Sequence, residues 1–129
     1  MEGSISIVMC TYNGENYLRQ QLDSLLAQTL PATEIIVQDD GSTDQTWDIL
    51  AEYAARYDCI RLFHNEAAHG INGNFFSAMR RATGDFIAVS DQDDIWKPRK
   101  LELQWAAIGE LAASCQPRLS LSSPCLLTC

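Results

Sequence analysis

The period of the apolar residues switches between strand-like and helix-like spacing along the chain, and each switch marks a new element. Residues 4–10 form a short apolar run with the length of a buried strand. In residues 16–28, Leu18, Leu22, Leu25 and Leu26 recur at helical spacing and give one apolar face, and Pro31 closes the unit. Residues 34–38 predict a second strand. Ser42 and Gln45 stand in the S-x-x-Q order of a capping box, which predicts a second helix with Trp47, Leu50, Ala51 and Ala54 facing inward. Residues 59–63 predict a third strand. Asn72 is placed to cap a third helix, with Phe75, Phe76, Met79 and Ala82 inward and Gly84 stopping it. Residues 86–90 predict a fourth strand, and Pro98 opens a last helix with Leu101, Trp105, Ile108 and Ala112 on one side.

Four strand–helix units in succession predict an α/β fold, a mostly parallel sheet with helices on both faces. Residues 1–113 read as one region built this way. Residues 114–129 have no period, and they hold two prolines, three cysteines and a cluster of serines. They are expected to be irregular.

In a doubly wound sheet, ligands bind outside the carboxyl ends of the strands. The residues that follow the predicted strands are therefore the candidate chemistry. They are Thr11, Tyr12, Asn13 and Gly14 after the first, Asp39, Asp40, Gly41 and Ser42 after the second, and Asp91, Gln92, Asp93 and Asp94 after the fourth. These polar clusters are far apart in sequence, yet the topology gathers them on one edge. Three carboxylates within four residues repel one another unless a cation neutralises them. Hard oxygen donors suit Mg2+ or Mn2+, which keep open positions for substrate phosphates. The plainer alternative is an acidic segment that only complements the dipole of the next helix. Gly41 and Ser42 have the residue types of a tight turn and a cap. Of Asp39 and Asp40, strand alternation lets one face a ligand, where its carboxylate could accept a hydrogen bond from a base N–H. His64 and His69 read as solvated loop histidines, Arg80 and Arg81 as helix-surface residues, and Cys10 as a small apolar filler.

Composition narrows the function classes. The chain has 129 residues, of which 47% are apolar, enough for one modest domain with one core. Its formal charge of -8 argues against general affinity for nucleic acid or anionic membranes. It leaves room for a phosphate ligand bridged by a metal cation. The first residues lack the basic segment of a signal peptide, and no run approaches the ~20 apolar residues of a spanning helix. The five cysteines include no CxxC pair, so reduced thiols and a cytoplasmic location are expected rather than a zinc site. Neither GxxxxGK[ST] nor GxGxxG is present, which removes the P-loop and dinucleotide readings. A phosphoacceptor signalling domain would need a lysine at the end of a later strand, and Lys97 instead follows the acidic loop.

Ser6-Ile-Val-Met-Cys-Thr-Tyr-Asn-Gly14, Gln28-Thr29, Glu34-Ile-Ile-Val-Gln-Asp-Asp-Gly-Ser-Thr-Asp44 and Ala82-Thr-Gly-Asp-Phe-Ile-Ala-Val-Ser-Asp-Gln-Asp-Asp-Ile-Trp-Lys-Pro98 resemble, in order and spacing, the N-terminal half of family 2 glycosyltransferases. The resemblance spans about residues 4–112 and implies the nucleotide-binding half of a GT-A fold. It assigns Cys10, Thr11, Tyr12 and Asn13 to the lining of a nucleotide pocket. It assigns Asp40 to the pyrimidine base, with Asp39 adjacent. Asp91-Gln92-Asp93 matches the DxD motif, which implies Asp93 as ligand to the metal that holds the donor diphosphate. Asp91 would assist through the ribose or a metal-bound water.

The wording around this motif is most similar to members that build bacterial surface polysaccharides, including rhamnosyltransferases. The implied activity is metal-dependent, inverting transfer of a sugar from a UDP- or dTDP-linked donor to a glycan or lipid-linked acceptor. The implied place is the cytoplasm or the inner face of the membrane. The family's carboxylate base lies well after the DxD block, and nothing in residues 113–129 resembles that segment. The expectation is an incomplete domain that binds donor and metal, with the alternative of a remnant without transferase activity. Uncovered apolar surface would then favour self-association.

Overall fold

The computed structural model describes residues 4–66, 71–91, 94–114 and 125–127. In chain order the elements are β1 (Ile5–Thr11), α1 (Leu18–Leu26), β2 (Glu34–Asp39), α2 (Thr46–Arg56), β3 (Ile60–His64), α3 (Ile71–Met79), β4 (Phe86–Ser90), α4 (Lys100–Ser114) and β5 (Cys125–Leu127). The strands form one sheet in the order β3-β2-β1-β4-β5, and every neighbouring pair is parallel. The chain builds outward from β1 through β2 to β3, then returns to the other side of β1 for β4. That reversal creates a switch point between β1 and β4, where an open α/β sheet leaves a crevice.

Strand alternation sorts the core into two layers. Ile7 and Met9 of β1 and Ile35 and Val37 of β2 share one layer with Leu18, Leu22 and Leu25 of α1, Ile49, Leu50 and Tyr53 of α2, and Leu101 of α4. Val8, Cys10, Ile36 and Ile87 form the other layer against Ala78 of α3, with Phe75 and Met79 alongside. Helices on both faces of a parallel sheet are what the pattern predicts. The fourth strand falls on the predicted residues, and the other three lie within a residue of theirs at either end.

Several details differ from the sequence reading. The buried face of α2 is Thr46, Ile49, Leu50 and Tyr53, one position out of phase with the predicted one, and Ala51 is exposed. Trp47 fixed the predicted phase by its size, but its ring lies at the margin, stacked on His64 at 3.6 Å between centroids. Ser42 and Gln45 make no capping box. Ser42 Oγ is drawn 2.6 Å to Asp39 Oδ1, so the helix starts only at Thr46, whose N–H donates to Asp44 Oδ1 at 2.9 Å. Asn72 lies inside α3 rather than ahead of it, and Phe76 is 61% exposed, because Asn74 and Ala78 face the sheet instead.

Gly84 does not stop a helix, since α3 ends at Met79. A Cβ at Gly84 would lie 2.6 Å from Ser6 Oγ and 2.8 Å from Ser6 N, so this glycine permits close approach of two backbones. Within the tail expected to be irregular, Cys125–Leu127 pairs with Phe86, Ile87 and Ala88 of β4. Its three residues, Cys-Leu-Leu, are apolar, and they occupy an edge of β4 that would otherwise present unpaired backbone groups.

Candidate functional site

The loops after β1 and β2 are joined by polar bonds. Register places Thr11 beside Asp39 at the ends of the two strands. Asp39 is 2% exposed. Its Oδ1 accepts from Thr11 Oγ1 at 2.7 Å and Ser42 Oγ at 2.6 Å, and its Oδ2 accepts from the N–H groups of Gly41 and Ser42 at 3.2 and 2.9 Å. This carboxylate therefore organises the turn, with Gly41 at φ 86° completing it. Asp40 is the half-buried member of the pair, which agrees with the alternation argument. Its N–H donates to Thr11 O at 3.0 Å, and its Oδ1 accepts from Asn65 Nδ2 at 2.8 Å.

Asn13 closes the first loop onto the second. It adopts φ 48°, a left-handed conformation that asparagine tolerates. Its N–H donates to Ser42 Oγ at 2.8 Å, and its Oδ1 accepts from Thr43 N at 2.8 Å. Gly14 N donates to Thr46 Oγ1 at 2.8 Å, which extends the tie to the start of α2. Tyr12 stands at the surface of this assembly, 51% exposed. Cys10 and Thr11 are buried and shape the floor beneath it. Burial pushes the Cys10 thiol up to about 12, and the neighbouring Asp40 charge adds to the effect, so the sulfur is held protonated and inert.

Asn65 belongs to a buried amide network that the sequence reading missed. Gln38 Nε2 donates to Asn65 Oδ1 at 3.2 Å and to Asn74 Oδ1 at 2.9 Å, and Arg81 Nε donates to Gln38 Oε1 at 3.0 Å. Arg81 also lies over the Phe63 ring, 4.2 Å from its centroid. It follows the end of α3 rather than sitting mid-helix, and it is committed to this packing. The available signal was Gln38, a polar residue within an otherwise apolar strand. His64 is the last residue of β3, stacked on Trp47, and is not a loop residue.

The acidic loop leaves β4 on the other side of β1, where Met9 pairs with Ser90. Asp91 follows immediately and is exposed. Asp94 N donates to Asp91 O at 3.2 Å, and Asp94 Oδ2 accepts from Trp96 Nε1 at 3.2 Å. Asp93, the expected metal ligand, lies outside the described residues, as do Gln92 and His69. Gln21 and Ser24 of α1, and Gln28 in the turn after it, reach this segment. Apolar periodicity passed over them, although Gln21 and Gln28 are both buried.

Among the described residues, no three His, Cys, Asp or Glu side chains converge on one point. Mg2+ or Mn2+ does not require such a cage. These ions bind through one or two carboxylates and complete their shell with water and substrate phosphates. The hard carboxylate of Asp91, exposed at the crevice, fits that mode of binding.

The amino edge of the sheet has a different task. Burial alone would raise the Glu34 carboxyl. Hydrogen bonds from Ser6 Oγ, Thr83 N–H, the Arg61 guanidinium and Thr83 Oγ1 outweigh that effect and hold it at about 2. This cluster ties β1, β2, β3 and the approach to β4 together, far from the crevice.

The family model for glycosyl transferase family 2 matches residues 6–121. The Escherichia coli protein named UDP-Glc:alpha-D-GlcNAc-diphosphoundecaprenol beta-1,3-glucosyltransferase WfgD is 40% identical over 100 residues, which cover 78% of this chain and 39% of that protein. S. aureus TarS in complex with UDP superposes with a TM-score of 0.74 at 34% identity, over 83% of this chain and 32% of that one. The mannosyltransferase PcManGT from Pyrobaculum calidifontis, in complex with GDP-Man and Mn2+, gives a TM-score of 0.75 over 92% of this chain and 34% of that one. At 24% identity it bears on the fold alone. The chain spans 30 to 39% of the length of the curated relatives named or most similar to it. No helix among the described residues is long and apolar enough to cross a membrane.

Proposed function

Because the chain belongs to glycosyl transferase family 2 and has the GT-A fold, we propose that its carboxyl-edge crevice binds the nucleoside diphosphate of a sugar donor. One observation carries this reading. The strand order sets the carboxyl ends of β2, β1 and β4 side by side on one edge of the sheet, with the half-buried Asp40 carboxylate on one side of β1 and the exposed Asp91 on the other.

The roles divide accordingly. Asp40 accepts a hydrogen bond from the N–H of a pyrimidine base, and Asn65 and the Thr11 carbonyl hold it in place. Tyr12 and Asn13 line the nucleotide. Asp39, Thr11 and Cys10 support the pocket from below. Asp93 and Asp91 would hold Mg2+ or Mn2+. A divalent cation bound there would supply Lewis-acid stabilisation of the leaving diphosphate. The reaction is inverting transfer of the sugar to a glycan or lipid-linked acceptor in surface polysaccharide synthesis, at the cytoplasmic face. The acceptor proton passes to a carboxylate base that the family places after the DxD block. WfgD, whose name specifies a UDP-Glc donor and a diphosphoundecaprenol-linked acceptor, supports the class of both substrates.

The test is calorimetric titration of UDP, dTDP and GDP into the chain, with and without Mn2+, repeated on Asp93→Ala and Asp40→Asn. Pyrimidine-selective binding that gains affinity with Mn2+ is expected. Asp93→Ala should remove the Mn2+ gain, and Asp40→Asn should reduce the preference for pyrimidines. A folded chain that binds no nucleotide under any condition would overturn the reading. Binding without donor turnover would favour a binding-only role.

A further inference from the structure

The acidic loop is fastened at both ends by polar side chains of α1 and of the turn that follows it. Gln21 Nε2 donates to Ser90 Oγ at 3.0 Å and to Asp91 O at 2.6 Å, at the point where β4 gives way to the loop. Ser24 Oγ accepts from Trp96 N at 3.1 Å. Gln28 Nε2 donates to Lys97 O at 2.8 Å, and Gln28 Oε1 accepts from Leu101 N at 3.0 Å, at the start of α4. Gln21 and Ser24 stand at i, i+3 on one stripe of α1, and Gln28 follows in the turn after the helix. The stripe runs beside the Leu18, Leu22 and Leu25 face, so its polar groups lie at a buried boundary and meet backbone rather than water. Gln21 is fully buried, and its Oε1 has no hydrogen-bond partner among the described residues. An amide that gives up an acceptor in the interior carries a penalty for being there. Gln21 Nε2 meanwhile satisfies the buried Ser90 hydroxyl and the Asp91 carbonyl, so what the amide secures at this position is the start of the loop.

We propose that Gln21, Ser24 and Gln28 are positioning residues that set where the acidic loop presents its carboxylates to the metal-bound diphosphate. They touch neither substrate nor cation. They act through the backbone of Asp91, Trp96, Lys97 and Leu101, and so fix both ends of the segment that holds Asp91 and Asp94. The proposal rests on the donor-site reading above. It adds that the diphosphate side of the site is held by α1 and the turn after it, while the base side is held by the bonds between the β1 and β2 loops. The two sides can therefore be disturbed separately.

The test uses Gln21→Met, which keeps side-chain length and removes the amide, and Ser24→Ala, a milder change that keeps the proposal open to refutation should Gln21→Met fail to fold. Two quantities are measured. Hydrogen exchange at the Trp96 amide reads the tie directly in the ligand-free chain, and should quicken in Ser24→Ala. Titration of UDP, in Mn2+ and in chelator, reads its consequence. The Mn2+ gain in UDP affinity should fall by about tenfold or more, the usual effect of losing a group that orients metal ligands, with affinity in chelator changed by less than about twofold. A general loss of structure would lower both affinities together. If the wild-type chain binds UDP with Mn2+ and both variants show the same gain, the positioning role is overturned and the donor site stands. If the wild-type chain shows no Mn2+ gain, the metal part of the donor-site reading fails and the positioning role falls with it, whatever the exchange data show.

Discussion

Asp39 and Asp40 are adjacent in the chain and carry opposite duties. Asp39 accepts four hydrogen bonds inside the turn, and its removal would leave those donors facing a buried gap. Asp39→Ala is expected to lower stability by about 2–3 kcal/mol in urea unfolding, the range for losing hydrogen bonds to a charged group. Asp40→Asn should leave the unfolding midpoint nearly unchanged and act on nucleotide affinity instead. Glu34 gives a pH test. Its folded pKa of about 2 lies below the ordinary 4.5, so its contribution is complete above about 4.5 and disappears as pH falls toward about 2. At neutral pH that contribution is on the order of 3 kcal/mol. Comparing thermal unfolding of the chain with Glu34→Gln across that range should show a gap that closes as pH falls.

At the scale of elements, the first four strands were the most legible part, whereas β5 lies in the tail expected to be irregular. Runs such as residues 86–90 are apolar on both faces and admit no other placement in a parallel sheet. Helix phase was less legible, because the largest side chain is a poor guide to which face is buried. Trp47 and Phe76 both drew the predicted face toward themselves, yet one stacks at the margin and the other is exposed. The acidic and Asp39–Asp40 loops were legible from residue type and from their place after strands. Gln21, Ser24 and Asn65 were not, because a polar side chain that bonds backbone or an amide leaves no periodic trace. Gly84 shows the same limit: its role depends on Ser6, 78 residues away. Gly84→Ala would press a methyl group onto the Ser6 backbone and should destabilise the chain by about 1–3 kcal/mol, read as a lowered urea midpoint.

At the scale of the whole molecule, one apolar region stands out. Ile95 and Leu103 are 49% and 56% exposed and border a groove of about 710 Å³ shared with Trp96 and Pro98. Lys97, Arg99 and Lys100 rim it, within a chain of net charge -8. Exposed apolar surface of this kind promotes association. We expect sedimentation velocity at tens of micromolar to show species larger than a monomer. Leu103→Glu should shift the distribution toward monomer, and a wild-type chain that sediments as a single monomer would count against the expectation.

The central position of β1 has a further consequence, in the order of events during folding. Its bonds to β2 close a separation of 28 residues, as between Ser6 and Glu34, whereas its side toward β4 closes about eighty, as between Ser4 and Asp85. Loop-closure entropy rises with length, and distant pairings form slowly. The half of the crevice between β1 and β2 should therefore mature before the acidic loop docks. In pulse-labelled refolding, amides of β2 should gain protection ahead of those of β4. A nascent chain would then acquire the joined β1 and β2 loops first, and the acidic loop's place beside them only when the distant strand arrives.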